Sequence, residues 1–136
     1  MPLTKGYKQL LEEAYAEVTT LPVEVAQAMV GSPEVQFVDI RDVRERQRTG
    51  AIPGAFSAPR GMLEFWVDPE SPYYKDVFGQ GKTYVLYCAS AWRSALAAKT
   101  LQDMGFGPVA HVEGGFTKWK ETGGPVEPVE ASHGKA

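Results

Sequence analysis

The sequence has one cysteine and two histidines, and this scarcity excludes whole classes of protein. Cys88 alone cannot form an intramolecular disulfide, and an unpaired thiol is typical of a reducing compartment, so we expect a cytoplasmic protein. His111 and His133 lie far from Cys88 in sequence, and their spacing is not that of metal ligands. We therefore expect neither a metal nor another cofactor.

An excess of one charge and a long hydrophobic run are also missing. The 14 Lys and Arg residues against 17 Asp and Glu residues give a formal net charge of -3, which attracts neither nucleic acid nor an anionic membrane. Charged residues such as Lys8 and Glu12 interrupt residues 1–17, so this segment lacks the apolar stretch of a signal peptide. No window approaches a transmembrane span, and we expect no nucleic-acid or membrane partner.

The length and composition suit one compact domain. A chain of 136 residues with 43% hydrophobic content can bury its own core without disulfide or metal support. Apolar residues recur at helical spacing in 5–18 and predict an amphipathic N-terminal helix. We expect residues 1–18 to form this helix, 19–124 the main domain, and 125–136 a flexible C-terminal tail.

Strand and helix signals alternate through the main domain. Runs of β-branched and aromatic residues predict strands at 35–40, 55–58, 83–87 and 109–113. Helical patterns fall at 23–30, 42–48, 61–66, 94–104 and after Gly114-Gly115 through Trp119. The proline- and glycine-containing segment 66–82 predicts a long connection. This alternation predicts an α/β fold with a central, mostly parallel β-sheet covered by helices.

Cys88 stands directly after the clearest predicted strand, 83–87. Ligands of open α/β sheets bind beyond the carboxyl ends of the strands, where helices point their N-termini. Small residues follow the cysteine, so their backbone N–H groups can converge on an anion. The expected anion-binding residues, besides the cation of Arg93, are Ala89, Ser90, Ala91, Trp92 and Ser94.

This loop favours a thiolate at Cys88. Backbone N–H groups, the dipole of the following helix and Arg93 all stabilise negative charge there. A free cysteine after an apolar strand is often an inert core residue, but the position, the loop and Arg93 together favour a reactive thiol. We expect Cys88 to act as a nucleophile, with Arg93 as charge stabiliser and brace of the loop.

Four motifs occur in a set order between residues 21 and 124. They are Val38-Asp39-Ile40-Arg41 with Glu45, Ile52-Pro53-Gly54-Ala55, Cys88-x-x-x-x-Arg93-Ser94, and Glu113-Gly114-Gly115-Phe116 with Trp119. Each motif alone is weak, but the ordered set resembles the rhodanese-homology domain. The resemblance implies a parallel sheet with helices on both faces and a thiosulfate or persulfide sulfurtransferase in which Cys88 cycles through a persulfide.

The implied reaction needs partners outside the chain. The thiolate attacks the outer sulfur of an anionic donor, thiosulfate or a persulfide, and the terminal sulfur then passes to an acceptor. Because the chain has no second cysteine, the acceptor must be cyanide, a small thiol or a partner protein. Arg60 follows a predicted strand, and it either binds the donor's anionic end or is an ordinary surface arginine.

Three positions depart from the family pattern. Ala91 stands where many relatives carry glycine, and a positive φ there would cost about 1–2 kcal/mol. Trp92 either forms a wall of the pocket or packs outward on its neighbours. Ala51 stands where the family often has histidine, at a position that we interpret as structural.

Other polar and glycine residues in these motifs have structural interpretations. An aspartate at a strand end more often accepts backbone N–H bonds than performs chemistry, and we assign Asp39, Arg41 and Glu45 to structure. Gly114 and Gly115 are expected to permit a tight turn from strand to helix.

Two other functions stay open. The same loop could dock a partner in a sulfur-delivery or regulatory binding module with little turnover of small molecules. A phosphatase or arsenate reductase is the third alternative, but related cell-cycle phosphatases place one more residue between cysteine and arginine. The four residues 89–92 make a tighter loop, which favours sulfur transfer over phosphate chemistry.

Overall fold

Short runs of β-branched and aromatic residues form a parallel sheet in the computed structural model, which describes residues 2–130. The strands are β1 (Thr19–Leu21), β2 (Val35–Asp39), β3 (Phe56–Ser57), β4 (Thr83–Tyr87) and β5 (Val109–Val112). Their order is β1-β5-β4-β2-β3, and each neighbouring pair is parallel. The predicted α/β fold with a central parallel sheet is confirmed, and β4 lies at its centre.

The edge strand β1 is the element that the sequence pattern does not predict. Its three residues, Thr19–Leu21, are too few for a period-2 signal and follow directly on a helix. Thr19 aligns with Ala110 and Leu21 with Val112 in the parallel pair with β5. This strand therefore depends on a partner about 90 residues further along the chain, as the register with Ala110 and Val112 shows.

Helices cover the sheet and connect its strands. Within the described residues they are α1 (Tyr7–Glu17), α2 (Val23–Gln27), α3 (Val43–Thr49), α4 (Leu63–Val67), α5 (Trp92–Asp103) and α6 (Gly115–Glu121). Short 3-10 turns occur at Arg60–Met62 and Asp76–Gly79, the second inside the predicted long connection. Helix α5 begins two residues earlier than predicted, so Trp92 and Arg93 belong to its first turn. In this part of the chain no helix is both long and apolar enough to cross a membrane.

The side chains of β4 alternate between two apolar layers. Tyr84, Leu86 and Cys88 pack into the layer that contains the buried residues of α4 and α5. Val85 and Tyr87 pack into the opposite layer, with buried residues of α2 and α6. Helix α1 lies outside α5 and contacts it through a small separate apolar cluster, Leu11, Ala14 and Ala95. The period of two along β4 therefore points Cys88 towards the α5 side of the sheet.

The beginning of the predicted tail runs against the domain. The backbones of Glu127 and Ala51 exchange two hydrogen bonds of 2.9 Å, and Ala51 is fully buried. The carbonyl of Pro125 accepts a hydrogen bond from Nε1 of the buried Trp119 at 2.7 Å. The remainder of the predicted tail, 131–136, lies outside the described residues.

A buried ionic cluster fixes the end of β2. The carboxylate of Asp39 accepts hydrogen bonds from Nε and Nη2 of Arg41 at 3.0 and 2.8 Å, and from Nε of Arg46 at 3.0 Å. It also accepts a hydrogen bond from the hydroxyl of Tyr87 at 2.8 Å. Burial, with the neighbouring Asp39 charge, raises the pKa of Tyr87, which keeps this hydroxyl protonated as a donor. The cluster ties the end of β2 to the end of β4 and fits the structural role expected of Asp39 and Arg41.

Replacing Arg41 by glutamine tests how much this cluster contributes to the stability of the fold. The Arg41 side chain is 2% exposed and donates to Asp39, Thr49 and the Gly50 carbonyl, so the substitution removes these hydrogen bonds and a charge that compensates the buried Asp39. We expect Arg41→Gln to lower the free energy of unfolding by about 3–5 kcal/mol in urea denaturation.

Arg44 provides the matched control. Its guanidinium lies 3.7 Å from Asp42, and the two side chains are 82% and 53% exposed. We expect Arg44→Gln to change the free energy of unfolding by less than about 0.5 kcal/mol. Equal losses in the two variants would contradict the argument that burial makes the Asp39 cluster important.

Candidate active site around Cys88

The topology brings the end of β2 beside the end of β4. The chain leaves β2 towards β3 on one side, and it leaves β4 towards β5 on the other. Ligands of open α/β sheets bind where successive connections diverge in this way. Asp39 and Tyr87 are aligned in the β2–β4 pair, so the segments after these two residues line the same crevice. Cys88 is the first residue of one of these segments.

The thiol of Cys88 lies under the start of α5. Cys88 is fully buried, and its Sγ accepts a hydrogen bond from the backbone N–H of Ser94 at 3.3 Å. The N-terminus of this twelve-residue helix carries partial positive charge, and Cys88 Sγ lies beside it. The backbone donation that the sequence predicts at Ser94 is present.

The first turn of α6 holds the other side of the loop. The N–H of Phe116 donates to the carbonyl of Cys88 at 2.8 Å, and that of Thr117 donates to Ala89 at 3.1 Å. This approach requires a glycine, because a Cβ on Gly115 would lie 2.6 Å from the Ala89 carbonyl oxygen. Gly115 also has φ of 64°, a conformation that favours glycine. Gly115 therefore permits the close contact of α6 with the cysteine loop.

Ala91 adopts the positive φ that its place in the family pattern, where many relatives carry glycine, suggests. Its φ is 75°, in the left-handed region, and it is the residue that precedes α5. An alanine there costs about 1–2 kcal/mol relative to an ordinary backbone conformation. The carbonyl of Ala91 accepts hydrogen bonds from the Tyr15 hydroxyl at 3.0 Å and from the Ala95 N–H at 3.3 Å. These contacts hold the loop in spite of the missing glycine.

Arg93 forms a two-point ion pair with Glu45. Nη1 donates to one carboxylate oxygen at 2.9 Å and Nη2 to the other at 3.0 Å. The pair raises the pKa of Arg93, with a smaller contribution from Cys88, and the bond to Arg93 lowers the pKa of Glu45 to about 2. Sequence reasoning assigns Glu45 to structure alone, whereas the folded chain makes it the partner of the loop arginine. The signal in the sequence that could have indicated this role is the place of Glu45 in the same motif as Arg41.

Two of the remaining candidates, Trp92 and Arg60, contact side chains outside the cysteine loop. Trp92 is 51% exposed, and its ring lies 5.3 Å from that of Tyr7 on α1, so the outward-packing alternative is the one found. Arg60 donates to Glu64 at 2.8 Å from the turn after β3. No hydrogen bond or ion pair among residues 2–130 joins Arg60 to the cysteine loop. This geometry favours the alternative that Arg60 is a surface arginine.

A buried histidine, which the sequence analysis did not select as a site residue, lies behind the loop. Nδ1 of His111 is 2.9 Å from the Ser94 hydroxyl, and Nε2 is 2.9 Å from the Thr20 hydroxyl. Burial lowers the pKa of His111 to about 4, so the ring is neutral near pH 7 and has one donor and one acceptor. A polar residue inside the apolar strand β5 was the only sequence signal for it.

A surface cleft of about 320 Å³ adjoins the loop at Ala89. Side chains of α3 and α6 line it, among them the cations of Arg48 and Lys120 and the carboxylate of Glu121. The loop therefore borders an open cleft with charges of both signs on its walls.

The comparisons with known proteins agree with this geometry. The sequence profile of the rhodanese-like domain matches residues 22–122. The chain belongs to the rhodanese-like domain family. Thiosulfate sulfurtransferase GlpE of Vibrio cholerae is 30% identical over 79% of this chain and 92% of its own length. An uncharacterised Synechocystis protein is 32% identical, and this rhodanese-like chain spans 55% of its length.

Solved structures show the same rhodanese-like fold. A protein of unknown function from Rhodopseudomonas palustris, described as a possible tyrosine phosphatase, is 54% identical with a TM-score of 0.90, over 93% of this chain and 98% of that one. The polysulfide-sulfur transferase homodimer of Wolinella succinogenes is 30% identical with a TM-score of 0.67, over 96% and 91% of the two chains. The predicted family and fold are confirmed.

His111 predicts how stability depends on pH. Its pKa is about 4 in the folded protein against a reference of 6.5, so the unfolded chain binds more protons between these values. The contribution of the neutral ring to the free energy of unfolding is then fully present above pH 6.5. It falls by up to roughly 3 kcal/mol as the pH drops towards 4. Urea denaturation at several pH values measures this slope.

The variant His111→Asn is the control for this measurement. It removes the titrating ring and should flatten the slope between pH 6.5 and 4, whatever its absolute stability. Glu45, whose pKa is lowered from 4.5 to about 2, loses its contribution at lower pH in both proteins. An unchanged slope in His111→Asn would contradict the assignment.

Proposed function

We propose that this rhodanese-like protein is a sulfurtransferase that carries sulfane sulfur on Cys88. The observation that supports the proposal is the Sγ of Cys88 at the carboxyl end of β4, with the Ser94 N–H aimed at it from the start of α5. The name of the Vibrio relative supports thiosulfate as the donor, and that of the Wolinella neighbour supports a polysulfide-type donor. The single cysteine supports a cytoplasmic site of action.

The proposed reaction has two displacement steps. The Cys88 thiolate attacks the outer sulfur of thiosulfate, the S–S bond of the donor breaks, and sulfite leaves with the electron pair. The acceptor, cyanide or a thiolate, then attacks the terminal sulfur of the Cys88 persulfide. Cys88 leaves as thiolate, and thiocyanate or a new persulfide is released. No external oxidant or reductant is needed, because each step exchanges one nucleophile on sulfur for another.

The chain's own groups stabilise the charge that moves through these steps. The Ser94 N–H and the N-terminus of α5 face the sulfur, and Arg93 lies in the first turn of that helix. Since Cys88 is fully buried, the proposed reaction requires a local opening of the loop to admit the donor and the acceptor. The acceptor must come from outside because Cys88 is the only cysteine.

Phosphatase chemistry is the second candidate, since the Rhodopseudomonas neighbour is described as a possible tyrosine phosphatase. Both terminal nitrogens of Arg93 are bound to Glu45, so a phosphate would have to compete with that carboxylate for them. The loop of four residues, 89–92, is also short for a tetrahedral anion. We therefore rank sulfur transfer above phosphate ester hydrolysis, with a sulfur-delivery module as the alternative that shares its first step.

Mass spectrometry after incubation with thiosulfate tests the persulfide. We expect the wild type to gain the mass of one sulfur atom on Cys88 and Cys88→Ser to gain none, because oxygen cannot form the persulfide. Ser90→Ala, at an exposed loop position, is the control and should still load. Sulfur uptake by Cys88→Ser, with an unchanged melting temperature, would refute the proposed carrier.

Competing substrates separate sulfur transfer from phosphatase chemistry. We expect the wild type to convert thiosulfate and cyanide to thiocyanate, and to hydrolyse an aryl phosphate at no more than background rate. The physical reasons are the short loop of four residues, 89–92, and the competition of Glu45 with a phosphate for Arg93. Efficient phosphate release without any Cys88 persulfide would reverse our ranking.

A further inference from the structure

Residues before the family match contribute directly to the cysteine loop. The rhodanese-like domain matches residues 22–122, whereas α1 and β1 precede it. The Tyr15 hydroxyl on α1 donates to the Ala91 carbonyl at 3.0 Å, and Thr20 on β1 bonds to His111 at 2.9 Å. Both contacts cross about 70 to 90 residues of sequence, so they form only when the N-terminal segment packs on the domain.

The first contact acts on the strained residue of the loop. Ala91, with φ of 75°, needs support that a glycine would not need. Tyr15 is carried by α1, which packs on α5 through Leu11 and Ala14 against Ala95. Burial raises the pKa of Tyr15, and Cys88 raises it further, which agrees with a ring placed close to the thiol. The tyrosine hydroxyl therefore remains a donor to the loop.

The second contact, between Thr20 and His111, leads to Ser94, the residue whose N–H donates to the Cys88 thiol. Ser94 donates its backbone N–H to Cys88 Sγ, while its hydroxyl is bonded to His111 Nδ1. The other ring nitrogen is bonded to Thr20, so the imidazole cannot rotate without losing both bonds. The His111 ring also lies 5.5 Å from the ring of Tyr15. The two contacts thus meet beside the thiol.

We propose that Tyr15 and His111 are positioning residues for sulfur loading, because together they hold the Ala91 carbonyl and the Ser94 hydroxyl and so keep the Ser94 N–H aimed at Cys88. This inference rests on the proposed function of Cys88 as a sulfur carrier. It assigns to the N-terminal segment a part in the reaction that the matched domain does not contain. Neither residue touches the donor, since each acts through a loop residue.

The variant Tyr15→Phe tests the first contact. It keeps the ring and removes only the hydroxyl, and the loss of one such hydrogen bond corresponds to about a three- to tenfold change. We expect the maximal rate of sulfur loading from thiosulfate, followed by mass spectrometry in a single turnover, to fall by this factor. The thiosulfate concentration at half-maximal rate should stay unchanged, because the donor site is intact.

Tyr7→Phe is the matched control on the same helix. The Tyr7 ring packs on Trp92, and its hydroxyl makes no side-chain hydrogen bond within residues 2–130. We expect wild-type loading in this variant. Equal loading rates in Tyr15→Phe, Tyr7→Phe and the wild type would overturn the role of Tyr15.

Two conservative variants of His111 test its bond to Ser94. Asparagine places its amide near the position of Nδ1, which faces Ser94, and glutamine places it near Nε2, which faces Thr20. We expect His111→Asn to retain most of the loading rate and His111→Gln to lose about three- to tenfold. Equal rates, or a loss that follows the drop in melting temperature in both variants, would show a structural role only and overturn the inference.

Alkylation of Cys88 by iodoacetamide separates this inference from the proposed function. The alkylation rate reports the geometry of the loop and needs no sulfur transfer, and it should change in Tyr15→Phe and His111→Gln but not in Tyr7→Phe. If the wild type never takes up sulfur, the proposed function is refuted. The alkylation rates would still show whether Tyr15 and His111 position the loop. Normal loading and normal alkylation in all variants would refute the positioning and leave the proposed function intact.

Discussion

The buried carboxylate of Asp39 is the constraint on which the rest of the site depends. A charge in the interior must be compensated, and here the side chains of Arg41, Arg46 and Tyr87 surround it. These partners come from the end of β2, from α3 and from the last residue of β4. Since Cys88 follows Tyr87 directly, the cluster fixes the point at which the cysteine loop begins.

The same cluster reaches the helix that supports the loop. The guanidinium of Arg41 lies over the ring of Phe116, 4.3 Å from its centroid, at the start of α6. The backbone of Phe116 in turn donates to the Cys88 carbonyl. One buried arginine therefore links the loop after β2 to the loop after β4, and the orientation of the thiol follows from packing several residues away.

The loop itself is held from three directions. Helix α6 binds its first carbonyls, Glu45 on α3 binds Arg93, and Tyr15 on α1 binds the Ala91 carbonyl. The ion pair with Glu45 keeps both terminal nitrogens of Arg93 engaged. The backbone N–H of Ser94 donates to the sulfur, and this contact supports the proposed role of Cys88 as a sulfur carrier.

The parallel sheet, the family and the place of Cys88 after its strand can be predicted from the sequence alone. The local signals are the β-branched and aromatic residues of 83–87 and the small residues after the cysteine, which lie within a dozen positions. The predicted start of α5 is two residues late. Ala91 precedes the helix with a left-handed backbone, and local propensity does not predict this conformation for an alanine.

Which side chains meet at the loop depends on the packing of distant elements. Tyr15 is 76 residues from Ala91, and Thr20 is 91 residues from His111, so no local pattern could pair them. Arg60 has the residue type and the strand-end position of an anion ligand, yet the turn after β3 pairs it with Glu64. Hydrogen-bond partners of this kind depend on how distant elements pack, because a side chain binds whatever donor or acceptor the fold brings within about 3 Å of it.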